Sequence, residues 1–214
     1  MIQETGSPGQ PRAETSALDQ AVEALRRGDL IVYPTETLYA LGADAASPLA
    51  LERLFAAKTR EAGKPVALIA ADSAMAFAIA GDIPAAARRL AKVFWPGPLT
   101  LVMPAKAGLP EALIGPGGGV GIRVSSHPIA RALARRLGRP ITATSANLEG
   151  RPPSTTLAQA RAAFGHKVKV YLEGGVLGAS PPSTVVAFDR EELKVLRAGA
   201  IPQCRLDAAV TVAK

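Results

Sequence analysis

The sequence is poor in the residues that carry most covalent and metal chemistry. Of 214 residues, one is cysteine (Cys204) and two are histidine (His127 and His166). A single cysteine excludes an internal disulfide framework and suits a reducing cytoplasm. With only two histidines beside that cysteine, a dedicated zinc cluster is not expected. Aromatic residues make up 4% of the chain, which argues against base stacking on single-stranded nucleic acid and leaves Ala, Leu, Val and Ile to build the core. No apolar run approaches the roughly 18 residues of a membrane span, and the N-terminus shows no signal-peptide pattern. The Gly-x-Ser-x-Gly elbow and the His-Glu-x-x-His metal motif are both absent, and no Cys–His pair is placed to act.

What the chain does hold is positive charge. Its 25 basic and 18 acidic residues give +7, which asks for an anionic partner such as nucleic acid or a polyphosphate. Much of the excess (Arg88, Arg89, Arg131, Arg135, Arg136) lies on predicted helix faces, where a solvated surface is the plainer account. Helical and strand patterns mix without strict alternation, and neither a repeat nor a long linker divides them. The expectation is one α/β (α+β) domain of three layers: a twisted mixed sheet of about seven strands with helices on both faces. Residues 1–15 read as a flexible leader, 16–201 as the domain and 202–214 as a tail.

Along the chain, Ser16 and Asp19 resemble a capping box for a first helix. An apolar run, Leu30 to Tyr33, predicts a strand that Pro34 stops. Thr35, Glu36 and Thr37 follow at its carboxyl end, where open α/β sheets bind ligands. Pro48 opens a helix that delivers Lys58 and Arg60. Asp72 and Asp82 read as caps of two further helices. The glycine-rich loop Gly115 to Gly121 matches neither the phosphate-loop motif nor Gly-x-Gly-x-x-Gly. Strands are expected at 66–70, 99–103, 121–124, 140–144, 168–172, 184–188 and 193–196, and Thr156 with Gln159 is another capping-box candidate.

Each candidate site residue has two readings. Lys58 and Arg60 complement a helix dipole or clamp a phosphate, lysine as point charge and arginine as planar fork. Arg123, amid apolar neighbours in an interior strand, requires an anion, either a ligand or a structural carboxylate such as Glu36 or Asp44. Ser145 and Asn147 cap a turn or donate to phosphate or ribose oxygens. Ser183 is a turn residue and Arg197 a surface arginine, unless both belong to the same site. Together these residues describe a site that gathers and orients anions rather than attacking them.

The residues Pro34-Thr35-Glu36-Thr37-Leu38-Tyr39-Ala40-Leu41-Gly42, Lys58-x-Arg60, Phe94-Trp95-Pro96-Gly97-Pro98-Leu99-Thr100, Gly121-Ile122-Arg123-Val124, Thr144-Ser145-Ala146-Asn147, Pro182-Ser183-Thr184-Val185 and Leu196-Arg197-x-Gly199 occur in the order of a known family. From Ser16 to Ile201 the chain resembles the YrdC-like threonylcarbamoyl-adenylate synthases. The resemblance implies a three-layer α/β domain with a central basic cavity. It also implies a reaction of L-threonine, bicarbonate and ATP that yields threonylcarbamoyl-AMP and pyrophosphate. By motif, Lys58 and Arg60 would neutralise the triphosphate as the catalytic pair. Gly119, Ser145, Asn147, Ser154 and Arg197 would complete the ATP site, and Thr35, Arg123 and Ser183 would hold threonine. Mg²⁺ would be held through ATP, with no protein side chain as ligand. A tRNA threonylcarbamoyl-transfer complex would take the product; weak RNA binding is a further implied contact, and a membrane is not. Glu36 stands where Asp is frequent, Ala40 where Gly is frequent and Glu61 where Pro is frequent, and Pro152-Pro153-Ser154 reorders a Pro-Ser-Pro segment. The expected form is the short, single-domain one, or a longer form cut short after this domain. The rival readings are a non-catalytic double-stranded-RNA or tRNA-binding module, and a related enzyme that handles another carbamoyl group.

Overall fold

A computed structural model describes residues 10–58, 65–178 and 180–211, with side chains from Ala17 onward. The first helix, α1 (Gln10–Arg26), begins well before Ser16, so that residue lies within the helix and does not cap it. Ala21, Val22, Ala24 and Leu25 are buried along one face, and Gly28, at φ +76°, makes the turn that only glycine adopts without strain.

The predicted first strand is β1 (Ile31–Pro34), and it continues into an unforeseen partner, β2 (Tyr39–Gly42). The two are antiparallel, with Pro34 opposite Tyr39, so the Thr-Glu-Thr segment is the turn of a hairpin. All eight residues of the pair are buried. A strand covered on both sides shows no alternation, which is why β2 does not read as a strand in sequence. Next come α2 (Pro48–Lys58), β3 (Leu68–Ala70), and α3 (Ser73–Ala78), whose cap Asp72 accepts from Met75 N as predicted. Helix α4 (Ala85–Phe94) is not capped by Asp82. Pro84 takes the N-cap position without a side-chain bond, and the Glu191 carboxylate accepts from Ala85 N at 3.0 Å and Ala86 N at 2.9 Å. A distant anion thus does the work assigned to a local one.

Strands β4 (Leu99–Pro104) and β5 (Gly119–Val124) precede α5 (Pro128–Leu137), which Gly138 ends in the left-handed conformation. The single strand expected over 140–144 is two, β6 (Ile141–Thr142) and β7 (Thr144–Ser145). Between them Ala143 N donates to Ala67 O at 2.7 Å, and Thr142 Oγ1 accepts from Ala43 N at 2.8 Å, so the chain leaves one sheet and enters another. Helix α6 (Leu157–Phe164) carries the predicted Thr156–Gln159 capping box. Then follow β8 (Val170–Tyr171), β9 (Thr184–Asp189) and β10 (Glu192–Arg197). The expected tail is α7 (Gln203–Thr211); it packs against α4 and buries Leu206 completely.

The mixed α/β class holds, with the strands divided between two sheets. One has the order β7-β2-β1-β8 and the other β10-β9-β4-β5-β3-β6. Both are mixed, with β1–β8, β3–β5 and β4–β9 parallel and the remaining pairs antiparallel. Buried Ala, Leu, Val and Ile dominate two hydrophobic clusters, one of them joining α1 and α5 to the strands beside them. Among the described residues no helix is long and apolar enough to cross a membrane.

Candidate active site

Strand alternation lays the floor of the site. On β5, Val120, Ile122 and Val124 are buried in the core, while Gly119, Gly121 and Arg123 line a cavity of about 500 Å³. On the neighbouring β4, Leu99, Leu101 and Met103 go to the core, and Thr100 and Val102 to the cavity. A Cβ at Gly119 would meet Val102 Cγ1 at 2.8 Å. This position is therefore glycine because strand and neighbour crowd each other, and its missing side chain keeps the floor open. The β1–β2 turn, the end of α2, β7, Pro182, Ser183 and the end of β10 form the walls.

The cavity gathers cations. Lys58, at the last turn of α2, is 5% exposed and donates from Nζ to the Ser145 carbonyl at 2.6 Å. Arg123 is 7% exposed, and its Nη1 donates to Glu36 Oε1 at 2.9 Å. The other Glu36 oxygen accepts from the Ser125 hydroxyl. Of the two carboxylates weighed for Arg123, Glu36 is the partner. Asp44 is engaged elsewhere, accepting from Arg139 Nε at 2.8 Å and Nη2 at 2.5 Å. Arg197 donates from Nη2 to the Ser183 carbonyl at 2.8 Å and to Ser183 Oγ at 3.0 Å. Desolvation, and then the like charge of Arg123, hold Arg197 below the ordinary arginine range; the two cations repel across the cavity, and an anion between them would relieve that.

Hydroxyls complete the lining. Thr35 donates from Oγ1 to the Leu38 carbonyl at 2.7 Å and accepts from Thr37 N and Leu38 N. The turn is thereby fixed by its own side chain. Tyr39 OH donates to Gly175 O at 2.8 Å and accepts from Gly174 N at 3.0 Å, tying the hairpin to the segment after β8.

Of the residues singled out in sequence, Thr35, Lys58, Gly119, Arg123, Ser145, Asn147, Ser183 and Arg197 all line this one cavity. Ser154 does not. It is buried, its hydroxyl donates to Ala146 O, and its carbonyl accepts from Tyr39 N at 3.1 Å, so it braces β2 against the Ser145 segment. Arg60 lies outside the described residues. Asn147 commits its amide hydrogens to the Leu148 and Arg151 carbonyls at 3.0 and 2.6 Å; as placed, it has no donor left for a phosphate. Sequence reasoning did not assign Thr37, Thr100 or Glu149, which also line the cavity. Thr37 and Thr100 had a signal: Thr37 follows the first strand at its carboxyl end, and Thr100 alternates with the core residues Leu99 and Leu101.

The Leu196-Arg197-x-Gly199 pattern has a steric cause. A Cβ on Gly199 would stand 2.2 Å from Pro182 O and 2.6 Å from Ser183 C and Thr184 N. The chain after β10 can lie against the Ser183 backbone only without a side chain there, and that contact carries Arg197 onto Ser183. Gly199→Ala is expected to cost about 1–3 kcal/mol through overpacking and to move Arg197 off the Ser183 carbonyl. Chemical denaturation and a structure of the variant check both; a variant of unchanged stability contradicts the packing argument.

The residues Lys58, Arg123, Arg197, Ser145 and Ser183 converge on one hollow, and a family profile of Sua5, YciO and YrdC proteins, described as Telomere recombination, matches residues 23–199. The chain belongs to the Sua5/YciO/YrdC family. A threonylcarbamoyl-AMP synthase of Vibrio cholerae is 40% identical over 184 residues, covering 85% of this chain and 97% of that protein. The crystal structure of Pyrococcus abyssi Sua5 complexed with L-threonine superposes with a TM-score of 0.86 at 35% identity; the match covers 91% of this chain but 57% of that one. E. coli YciO superposes at 0.78 with 30% identity, covering 90% of this chain and 92% of that one. The cavity described above is thus a feature of a Sua5/YciO/YrdC domain.

Proposed function

We propose that the chain is an L-threonylcarbamoyladenylate synthase, a nucleotidyltransferase that makes threonylcarbamoyl-AMP and pyrophosphate from L-threonine, bicarbonate and ATP. The observation that carries this reading is the meeting of Lys58, Arg123 and Arg197 with uncharged hydroxyls in one cavity. Similar proteins bear the name threonylcarbamoyl-AMP synthase, and one related structure holds L-threonine. The product would feed threonylcarbamoyladenosine modification of tRNA in the cytoplasm through a separate transfer complex.

In this reading the threonine amine adds to the carbon of bicarbonate, whose C–O bond breaks to release water, or to CO2 with loss of the amine proton to solvent, and either route gives a carbamate. A carbamate oxygen then attacks the α-phosphorus, and the bond to the bridging oxygen breaks to release pyrophosphate. Both oxygen partners are anions, so the chain's contribution is fixed positive charge and orientation. Arg123, held by Glu36, turns its remaining donors to the threonine carboxylate. Thr35 and Ser183 flank it. Lys58 stands against the phosphates beside the Ser145 backbone, and Arg197 completes the nucleotide side with Ser145 and the open Gly119 backbone; Asn147, its amide hydrogens engaged, meets the nucleotide only as an acceptor through Oδ1. Arg60 is assigned to the phosphates by motif. The described residues fit no resident metal ion: they contain no group of three His, Cys, Asp or Glu placed to hold one, and the charged lining is mostly cationic. Mg²⁺ would arrive with the incoming nucleotide, held by its phosphates.

The deciding experiment is mass spectrometry of products formed from ATP, threonine and labelled bicarbonate. The expected result is labelled threonylcarbamoyl-AMP, with pyrophosphate released only when all three substrates are present. ATP left intact, with salt-sensitive RNA binding in its place, would identify a binding module; a product with carbamoyl phosphate alone would identify the related carbamoyl enzyme.

A further inference from the structure

Thr100 is 2% exposed, lies on β4, and lines the cavity with its hydroxyl 3.0 Å from Ser183 Oγ. That contact is the one hydrogen bond of its hydroxyl among the described residues. Ser183 Oγ meanwhile accepts from Arg197 Nη2 at 3.0 Å. A serine hydroxyl has two lone pairs and one proton. An arginine has no acceptor, so Arg197 takes one lone pair whatever else happens. If Thr100 donates, it takes the second, and Ser183 is left with its proton alone to offer. The opposite arrangement leaves the spare proton on Thr100, whose hydroxyl has no second acceptor among the described residues, and turns a lone pair of Ser183 toward an anionic substrate.

We infer that Thr100 is a positioning residue for the amino-acid substrate: with Arg197 it saturates the Ser183 oxygen and makes Ser183 a directed donor to an acceptor oxygen of that substrate. The inference rests on the amino acid occupying this cavity, as proposed above. An isolated serine rotates freely and serves donors and acceptors alike; one saturated by two fixed neighbours recognises acceptors only. The oxygen so read is anionic, since the same corner holds Arg123 and Arg197. The carboxylate of the amino acid and the carbamate formed on its amine both have that character.

The test is calorimetric binding of L-threonine to the full chain, together with the KM values for threonine and ATP. Thr100→Val is expected to weaken threonine binding about five- to tenfold, the range of one lost hydrogen bond, with the KM for ATP unchanged. Thr100→Ser is expected to restore most of the loss. The double variant Thr100→Val/Ser183→Ala should bind no more weakly than Ser183→Ala, because Thr100 acts through Ser183. If Thr100→Val does not fold, Thr100→Ala against Thr100→Ser makes the same comparison with smaller side chains. Unchanged threonine binding in the hydroxyl-free variants, full additivity with Ser183→Ala, or an equal loss for ATP each overturn the inference. A wild-type chain that binds no threonine overturns the proposed function and the inference together; binding by wild type and Thr100→Val alike overturns the inference alone.

Discussion

Lys58→Ala is expected to lower turnover of ATP by a factor on the order of 10²–10³, the usual loss when one fixed donor to a developing charge is removed. The lysine is buried at the end of a helix, and its ammonium is held 2.6 Å from the Ser145 carbonyl. In the proposed reaction it would meet an incoming phosphate without a change of position, in surroundings that screen its charge poorly. The same bond gives the residue a second role: it ties α2 to β7, beside the pairing of Ser145 with Ala40 on β2. Removing one partner of a buried hydrogen bond costs about 1–3 kcal/mol, and a modest fall in thermal stability should accompany the kinetic loss. Lys58→Arg is not expected to rescue, because the planar fork cannot occupy the space of a compact ammonium. Pyrophosphate release at saturating threonine measures the effect, and near-normal turnover in a folded Lys58→Ala chain would remove the lysine from the phosphate site.

The difference between what sequence shows and what it hides follows from the range of each interaction. Asp72 and the Thr156–Gln159 pair are caps whose partners lie within a few residues, so their patterns are readable in a single segment. Asp82 reads as the cap of α4, but the acceptor is Glu191, which the turn between β9 and β10 brings there. The β2 strand carries no alternation, since both its faces are buried, and the passage through Ala143 between two sheets depends on Ala67 and Ala43, far away in the chain. The candidate site was more legible. Its charged and hydroxylic residues sit at element ends or amid apolar runs, where each demands an explanation, and the order of motifs supplies one. The same motifs do not reveal that Ser154 braces backbone rather than lining the cavity, or that Asn147 spends its amide on local carbonyls. Those roles depend on which atoms are already engaged, and only three-dimensional placement decides that.

Arg123→Leu should raise the threonine requirement about 10- to 100-fold, as expected for loss of a charged hydrogen-bonding fork, while the ATP requirement changes far less. The substitution has a cost unrelated to substrate. Glu36 would keep Ser125 as donor but lose the guanidinium that balances it, and a largely buried carboxylate left without its cation is strongly destabilising. Binding and folding are separable by the double variant Glu36→Gln/Arg123→Leu, in which no unbalanced charge remains. Its stability should recover toward wild type, and its threonine affinity should not. Recovery of both would mean that the pair exists for the fold and that the carboxylate of threonine is met elsewhere. A variant that loses ATP affinity more than threonine affinity would mean that Arg123 and Arg197, which repel each other across the cavity, have been assigned to the wrong substrates. Arg123→Lys refines the result: a lysine restores the charge opposite Glu36, and so the stability, but its single ammonium cannot bond Glu36 and a substrate carboxylate in the fixed geometry of a fork. Restored folding with only partial recovery of threonine affinity is the expected outcome, and it would show that the planar geometry of Arg123, beyond its charge, selects the amino acid.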